Sequence, residues 1–404
     1  MKRMKMKFLA SLAAAVTSLF GAPFPAESKA ISKAPTNATP AVSSKPANEL
    51  AWKIYRAVGT KGDNVFVSPA SISTAIGLAF EGSSGATRAK ARKFLTLKEA
   101  GEKESLVPTV RKSFENSGDS ITLRMQNAVW TDPAKVDPTP EYIKRADTFY
   151  SAKVAKAPFG DGVKLSEEIN AWVKKATNGM IDRLVAPDDL RERHLAILNA
   201  VYFLGTWKEP FEESRTIEDD FTTTSGAKVR AQLMNNTDHF AYAETDRYQL
   251  LHLPYKNQDY VMSIILPKQG LKLSDVESNL TAGAFETPGE PREVWVQLPK
   301  FKIDWGVENI LPDLVSLGMP NGGPQEEFKV LGAKDMIILT AVLHRAVVKV
   351  DEKGTEAAAA TAIMALGGSA PSKKTEFHCD RPFLFAIRDV KRNEILFIGR
   401  FGKP

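Results

Sequence analysis

A single cysteine, Cys379, stands in 404 residues, so the chain can close no internal disulfide and must hold its fold by packing. Histidine is scarce too. The five (His194, His239, His252, His344, His378) are scattered, and none pairs with a second ligand at metal spacing, which argues against a metal site. His378 and Cys379 are adjacent, but on a strand their side chains point to opposite faces and cannot form a thiolate–imidazole pair. There is no Gly-x-x-x-x-Gly-Lys-Ser/Thr loop, no Gly-x-Gly-x-x-Gly, no His-Glu-x-x-His and no Gly-x-Ser-x-Gly. Gly82-Ser83-Ser84-Gly85 misses the last pattern by one position and reads as a turn. The reading is therefore a protein without enzymatic activity and without a cofactor.

One-sign charge is also lacking. Lys2, Arg3, Lys5 and Lys7 supply four positives of the formal +6, and removing them leaves +2, with the remaining charges interspersed. No basic groove for nucleic acid is expected. Nor is there a run of about 20 apolar residues of the kind a membrane helix needs. The apolar stretch Phe8–Phe20, behind those four positives and ahead of Gly21, Ala22, Pro23 and Pro25, has the pattern of a secretory leader. Residues 1–26 are read as that signal, with an uncleaved anchor as the alternative, giving a secreted or periplasmic protein with no membrane contact after its removal. Residues 27–47 hold only Ile31 and Val42 as large aliphatic side chains and read as a flexible tether. No linker follows, so residues 48–404 read as one domain of an expected monomer.

Within that domain, Leu50, Ile54 and Val58 recur every four residues and predict an amphipathic helix. Val65-Phe66-Val67 is strand-like, and Ser68-Pro69 offers a capping hydroxyl and a first-turn proline to a buried helix through Ile72, Ile76 and Phe80. Leu165, Ile169, Trp172, Val173 and Ala176 trace a further helix, with Ser166 expected as its cap. Later segments are β-branched or alternating: Val261–Leu266, Val294–Leu298, Ala346–Val350, and Phe383–Phe385 joined to Ile395–Ile398 across Lys391-Arg392-Asn393. Helices first and strands later give an α+β fold class.

The least ordinary stretch is Glu352-Lys353-Gly354-Thr355-Glu356-Ala357-Ala358-Ala359-Ala360-Thr361-Ala362. Local propensity favours a helix. A strand-like run, Ala346–Val350, leads directly into it, and without an apolar face a helix would have nothing to hold it. At strand period, Thr355, Ala357, Ala359 and Thr361 share one side, and all are small. Such a segment can slide between two strands and bond on both edges.

These residues resemble the reactive-loop hinge of the serpins, a family of serine protease inhibitors. Asn64–Ser73 with Gly85-Ala86-Thr87, Leu198–Phe203 with Gly205, Trp207, Lys208 and Phe211, Leu298–Phe301, Arg381–Phe385 and Gly399-Arg400-Phe401 resemble further family motifs in the expected order. The resemblance covers nearly all of residues 48–404 and is that of a bacterial-like secreted member. It implies the serpin fold: helices packed on a large mixed sheet, two smaller sheets, and an exposed reactive-centre loop at about residues 352–378.

The resemblance assigns roles by position. Ser68, Ser71, Asn199 and His344 would form a shutter under the sheet centre; Trp207, Lys300 and Glu352 would form a breach at its top, with Lys300 paired to Glu352. Gly354, Thr355, Glu356, Ala357, Ala358, Ala359, Ala360 and Thr361 would be the hinge. Family spacing puts the reactive bond at Gly368-Ser369, with cuts after Met364, Leu366, Lys373 or Lys374 as alternatives. The implied mechanism is suicide inhibition, in which the cut loop inserts into the sheet and carries the acyl-enzyme with it. From Thr355 to Gly368 an inserted strand spans about 45 Å at roughly 3.3 Å per residue. The implied partner is a serine protease, elastase-like, subtilisin-like or chymotrypsin-like, with cysteine proteases as a further class. The alternative is a non-inhibitory carrier or chaperone. Two features depart from the family pattern: Met180 where lysine is usual, and residues 320–336.

Overall fold

The computed structural model describes residues 45–98, 104–108, 111, 114, 120–191, 193–339, 341–355 and 374–404. Helix α1 (Pro46–Val58) starts on a proline, whose missing N–H is harmless in a first turn, and buries Leu50, Ile54, Tyr55 and Val58. It thereby takes Pro46 and Ala47 out of the segment read as tether. Strand β1 (Val65–Val67) runs straight into α2 (Pro69–Phe80), where the Ser71 amide donates to Ser68 Oγ at 3.2 Å. Every residue of α2 is buried. The N-terminus of α3 (Gly85–Phe94) is satisfied from far away in sequence: Glu327 accepts from the amides of Ala86 and Thr87 at 3.1 and 2.9 Å. The divergent stretch 320–336 thus supplies that helix with its cap.

Strand β2 (Ile121–Thr131), helix α4 (Pro140–Tyr150) and strand β3 (Ala152–Lys156) follow. Helix α5 spans Gly162–Ala176, and its cap is Asp161, which accepts from the Lys164 amide at 3.0 Å. The expectation of Ser166 as cap is corrected: it lies inside the helix, buried, bonded back to Val163 O at 2.8 Å. An aspartate one turn earlier outcompetes it, since its carboxylate also complements the helix dipole.

The second half runs β4 (Leu195–Thr206), β5 (Ile217–Thr222), β6 (Lys228–Glu244), β7 (Tyr248–Pro254), β8 (Tyr260–Pro267), α6 (Leu273–Glu277), β9 (Glu290–Pro299), β10 (Phe301–Asn309), α7 (Leu311–Ser316), β11 (Gly322–Gly323), β12 (Ile337–Ile338), β13 (Leu343–Asp351), β14 (Gly354–Thr355), β15 (Thr375–His378), β16 (Phe383–Asp389) and β17 (Glu394–Phe401). Among the described residues three sheets result: a nine-stranded sheet β1-β17-β16-β8-β7-β6-β9-β15 with β5 on β6, a six-stranded mixed sheet β10-β13-β14-β4-β2-β3, and the pair β11-β12. The nine-stranded sheet is one sheet because the 17-residue β6 pairs with β5, β7 and β9 along its length. Among the described residues no helix is long and apolar enough to cross a membrane.

The six-stranded sheet separates two cores. On one face Ile197, Val201, Phe203, Ala346, Val348 and Val350 join the main core with α1, α2 and the nine-stranded sheet. On the other, Leu198, Ala200, Leu343 and Val347 join a smaller core under Leu165, Ile169 and Val173 of α5. Strand alternation dictates this: odd residues of β4 and even residues of β13 share one face. Cys379 is buried in the main core, and burial pushes its thiol pKa up, so it packs as a small apolar group.

Candidate functional site: a seam between two parallel strands

The middle of the six-stranded sheet is a seam. Strands β13 and β4 pair directly and in parallel over five residue pairs, from Leu343 opposite Leu198 to Val347 opposite Tyr202. Above Val347 they part, and β14 fills the gap, antiparallel to both. Thr355 faces Val350 on one side and Gly205 on the other, and Gly354 faces Asp351 and Thr206. The chain makes the tight reversal from β13 through Gly354, whose φ of +154° is a region that favours glycine; a Cβ there would collide with the Gly205 carbonyl. Gly205 is itself hemmed in, since a Cβ on it would lie 2.7 Å from Tyr255 and 2.8 Å from Phe203.

The expected breach residues lie around this upper end. Glu352, 5% exposed, takes Lys300 Nζ at 2.9 Å and the Thr216 hydroxyl at 2.7 Å on its two carboxylate oxygens. Burial pushes its pKa up, but the hydrogen bonds from Thr216 and Lys300 outweigh that and hold the carboxyl below its ordinary value. The Trp207 indole donates to Asp351 O at 3.1 Å and stacks on Tyr255 at 4.7 Å between ring centroids. Tyr255 OH in turn meets Thr355 Oγ1 at 2.8 Å. Thus the first two hinge residues are already seated and bonded. The expectation of an exposed loop from about residue 352 to 378 is corrected at both ends: Glu352, Gly354 and Thr355 are buried, with Lys353 half-buried in the turn between them, and Thr375–His378 are strand β15 on β9.

The four expected shutter residues meet in the middle of the seam. His344 and Asn199 are themselves a Cα pair across it. The start of α2 bridges both: the Ser68 amide donates to His344 Nε2 at 3.2 Å, and the Ser71 hydroxyl donates to Asn199 Oδ1. Burial alone lowers the His344 pKa to about 3, so its ring is neutral and Nε2 is free to accept. Its Nδ1, also buried, has no partner among the described residues. Asn199 then donates to Asn127 Oδ1 of β2 at 2.8 Å.

Glu356, Ala357, Ala358, Ala359, Ala360, Thr361, Gly368 and Ser369 lie outside the described residues. Asn127, Tyr255 and Thr216 were not read from the sequence. Nothing local marks them, because each matters through a partner 72 to 136 residues away. No group of three metal-ligating side chains occurs among the described residues.

The sequence model of the family described as Serpin (serine protease inhibitor) matches residues 45–404. A serpin-like protein of Thermococcus kodakarensis is 34% identical over 372 residues, 88% of this chain and 84% of that protein. The leukocyte elastase inhibitor of Bos taurus is 33% identical over 84% of this chain and 93% of its own length. The crystal structure of Serpin48 from the insect Tenebrio molitor superposes with a TM-score of 0.79 at 28% identity, covering 89% of this chain and 97% of that one. A short glycine-turned strand wedged into the top of a parallel seam, on a fold matched along almost its whole length, places this chain in the serpin family of serine protease inhibitors.

Proposed function

We propose that this protein is an irreversible suicide-substrate inhibitor of serine proteases, which traps the acyl-enzyme by inserting its cut loop along the seam between β4 and β13. One observation carries the reading: the register of β14 runs on into that seam without a shift. Each residue beyond Thr355 would step back by one on both neighbours, so Ala359 would meet Ala346 and Val201, and Thr361 would meet His344 and Asn199. Those are the very pairs the closed parallel ladder now makes, so the strands need only part, not slide. Thr355, Ala357, Ala359 and Thr361 would face the main core, where their small size avoids a clash with Phe203 and Val348.

The driving force would be hydrogen bonding on two edges plus burial of the segment, neither available to a loop in water. With Gly368-Ser369 as the reactive bond, a residue without a side chain enters the primary pocket, which favours elastase-like or subtilisin-like targets over trypsin-like ones. The leader at residues 1–26 supports a secreted or periplasmic setting, where such proteases are met. Incubation with a panel of serine proteases tests the function. A covalent adduct that survives boiling in detergent, with mass spectrometry placing the cut after Gly368, is the expected result; complete cleavage by every protease with no adduct overturns it.

A further inference from the structure

To admit a strand, β4 and β13 must separate by about 4.8 Å more, one strand spacing. Helix α2 lies against β4, and its cap Ser68 reaches β13, so at least one of the two strands must move relative to it. The bonds to α2 are unequal. Strand β13 is tied to its start by the Ser68 amide on His344. The β4–β2 half is tied at both of its ends.

At the N-terminal end the tie is Ser71 to Asn199. The C-terminal end holds Glu81, the residue after Phe80, whose carboxylate is fully buried. Arg145 of α4 grips its Oε1, with Nε at 2.8 Å, and Arg88 of α3 lies 3.5 Å from the same oxygen. The other oxygen takes the Tyr150 hydroxyl at 2.6 Å and the Leu106 amide at 2.8 Å. Tyr150 closes α4, and its backbone carbonyl accepts from the side-chain Nδ2 of Asn127 at 3.0 Å. Asn127 meets Asn199 at 2.8 Å, which returns the chain of bonds to the seam. The Tyr142 hydroxyl, on Leu78 O at 3.0 Å, adds a parallel tie between α4 and the same end of α2.

We propose that Glu81 is a positioning residue for strand insertion: through Tyr150 and Asn127 it anchors the β4–β2 half of the sheet to the end of α2 and acts as a brake on the opening of the seam. The chemistry is suited to a brake. A buried carboxylate with two guanidinium partners is costly to expose and holds its hydroxyl partner by a charge-assisted bond, so the tie is rigid while intact and fails as a unit. Ser71 and Asn199 alone would let the β4–β2 half pivot; the second tie prevents it. The inference rests on the insertion reading above.

The test is uptake by the intact protein of a synthetic peptide with the sequence of residues 355–368, followed on native gels. Glu81→Gln and Tyr150→Phe should each raise the uptake rate about three- to tenfold, the equivalent of one net hydrogen bond. Adding Tyr150→Phe to Asn127→Ala should bring no further rise, because the line to the seam is already cut. Urea unfolding of the loop-cleaved protein, whose seam is filled, is the control. A merely structural role would lower that midpoint and leave uptake unchanged. Equal uptake by wild type and both variants, or full additivity with Asn127→Ala, overturns the brake alone. Absence of uptake by every form overturns the insertion reading and the brake with it.

Discussion

The top and the middle of the seam hold the same two strands together by opposite means. At the top, the strands have already parted, and a short strand, one ion pair with a 41% exposed lysine, and an indole stacked on a phenol fill the space. In the middle they touch, every side chain of the clasp is buried, and hydrogen bonds link β13, α2, β4 and β2. The top is wet at its edge and can be loosened cheaply; the middle is dry, where each orphaned group is costly. For the proposed insertion the difference implies an order of events: a loop entering at the top would meet its main resistance at His344 and Asn199.

The most damaging way to break this contrast is to make the top as costly as the middle. Thr355→Glu would bury a carboxylate beside Tyr255, at a cost of several kcal/mol for an unpaired charge. Denaturing gels should then show cut protein with no adduct. Acid is the next lever, and it acts on the middle. Because His344 stays neutral down to about pH 3 while an unfolded histidine protonates near 6.5, the folded state loses stability as pH falls from 6.5 towards 3, by about 1.4 kcal/mol per pH unit. His252, lowered by burial to about 4, adds a similar slope, so the difference between wild type and His344→Gln in urea titrations at pH 7 and pH 5 isolates the shutter ring.

Asn199→Ala sharpens the comparison with a smaller effect. It orphans the Ser71 hydroxyl and one side of Asn127, and about 1–3 kcal/mol of stability should be lost in denaturant titration. The smallest change is expected at the top. Lys300→Ala removes a pair whose cation is half in water while Glu352 keeps the Thr216 hydroxyl, so a loss of about 1 kcal/mol is expected, and its signature should be earlier polymer bands on mild heating with a nearly unchanged urea midpoint. An effect of Lys300→Ala on stability as large as that of Asn199→Ala would abolish the distinction between the two regions.

Local chemistry made much of the fold legible. Ser68-Pro69 announced α2, β-branched or alternating runs announced β8, β9, β13, β16 and β17, and the small residues from Thr355 onward read at strand period. Where reading failed, a competing local signal was overlooked. Asp161 caps α5 ahead of Ser166, and Thr139-Pro140 opens α4 with the same pairing that opens α2, Thr139 Oγ1 accepting from the Tyr142 amide at 3.2 Å. The shutter and breach residues came from resemblance to a family, not from periodicity, and the structure gives them their geometry. Glu81 had no such pointer, for an acidic residue at a helix end reads as surface until Arg88, Arg145 and Tyr150 are seen around it.

On the proposed function, the sequence by itself determined what could enter the seam: a glycine able to turn sharply, then residues small enough on one side to pass Phe203. Whether the seam is shut, and at what register, was decided by tertiary structure alone. Its bonds join residues 276, 128 and 72 positions apart, and no window along the chain contains both partners. Strand side chains repeat every two residues, so alternation says which face a residue takes but never which residue it will face across the ladder; that choice belongs to the packed sheet.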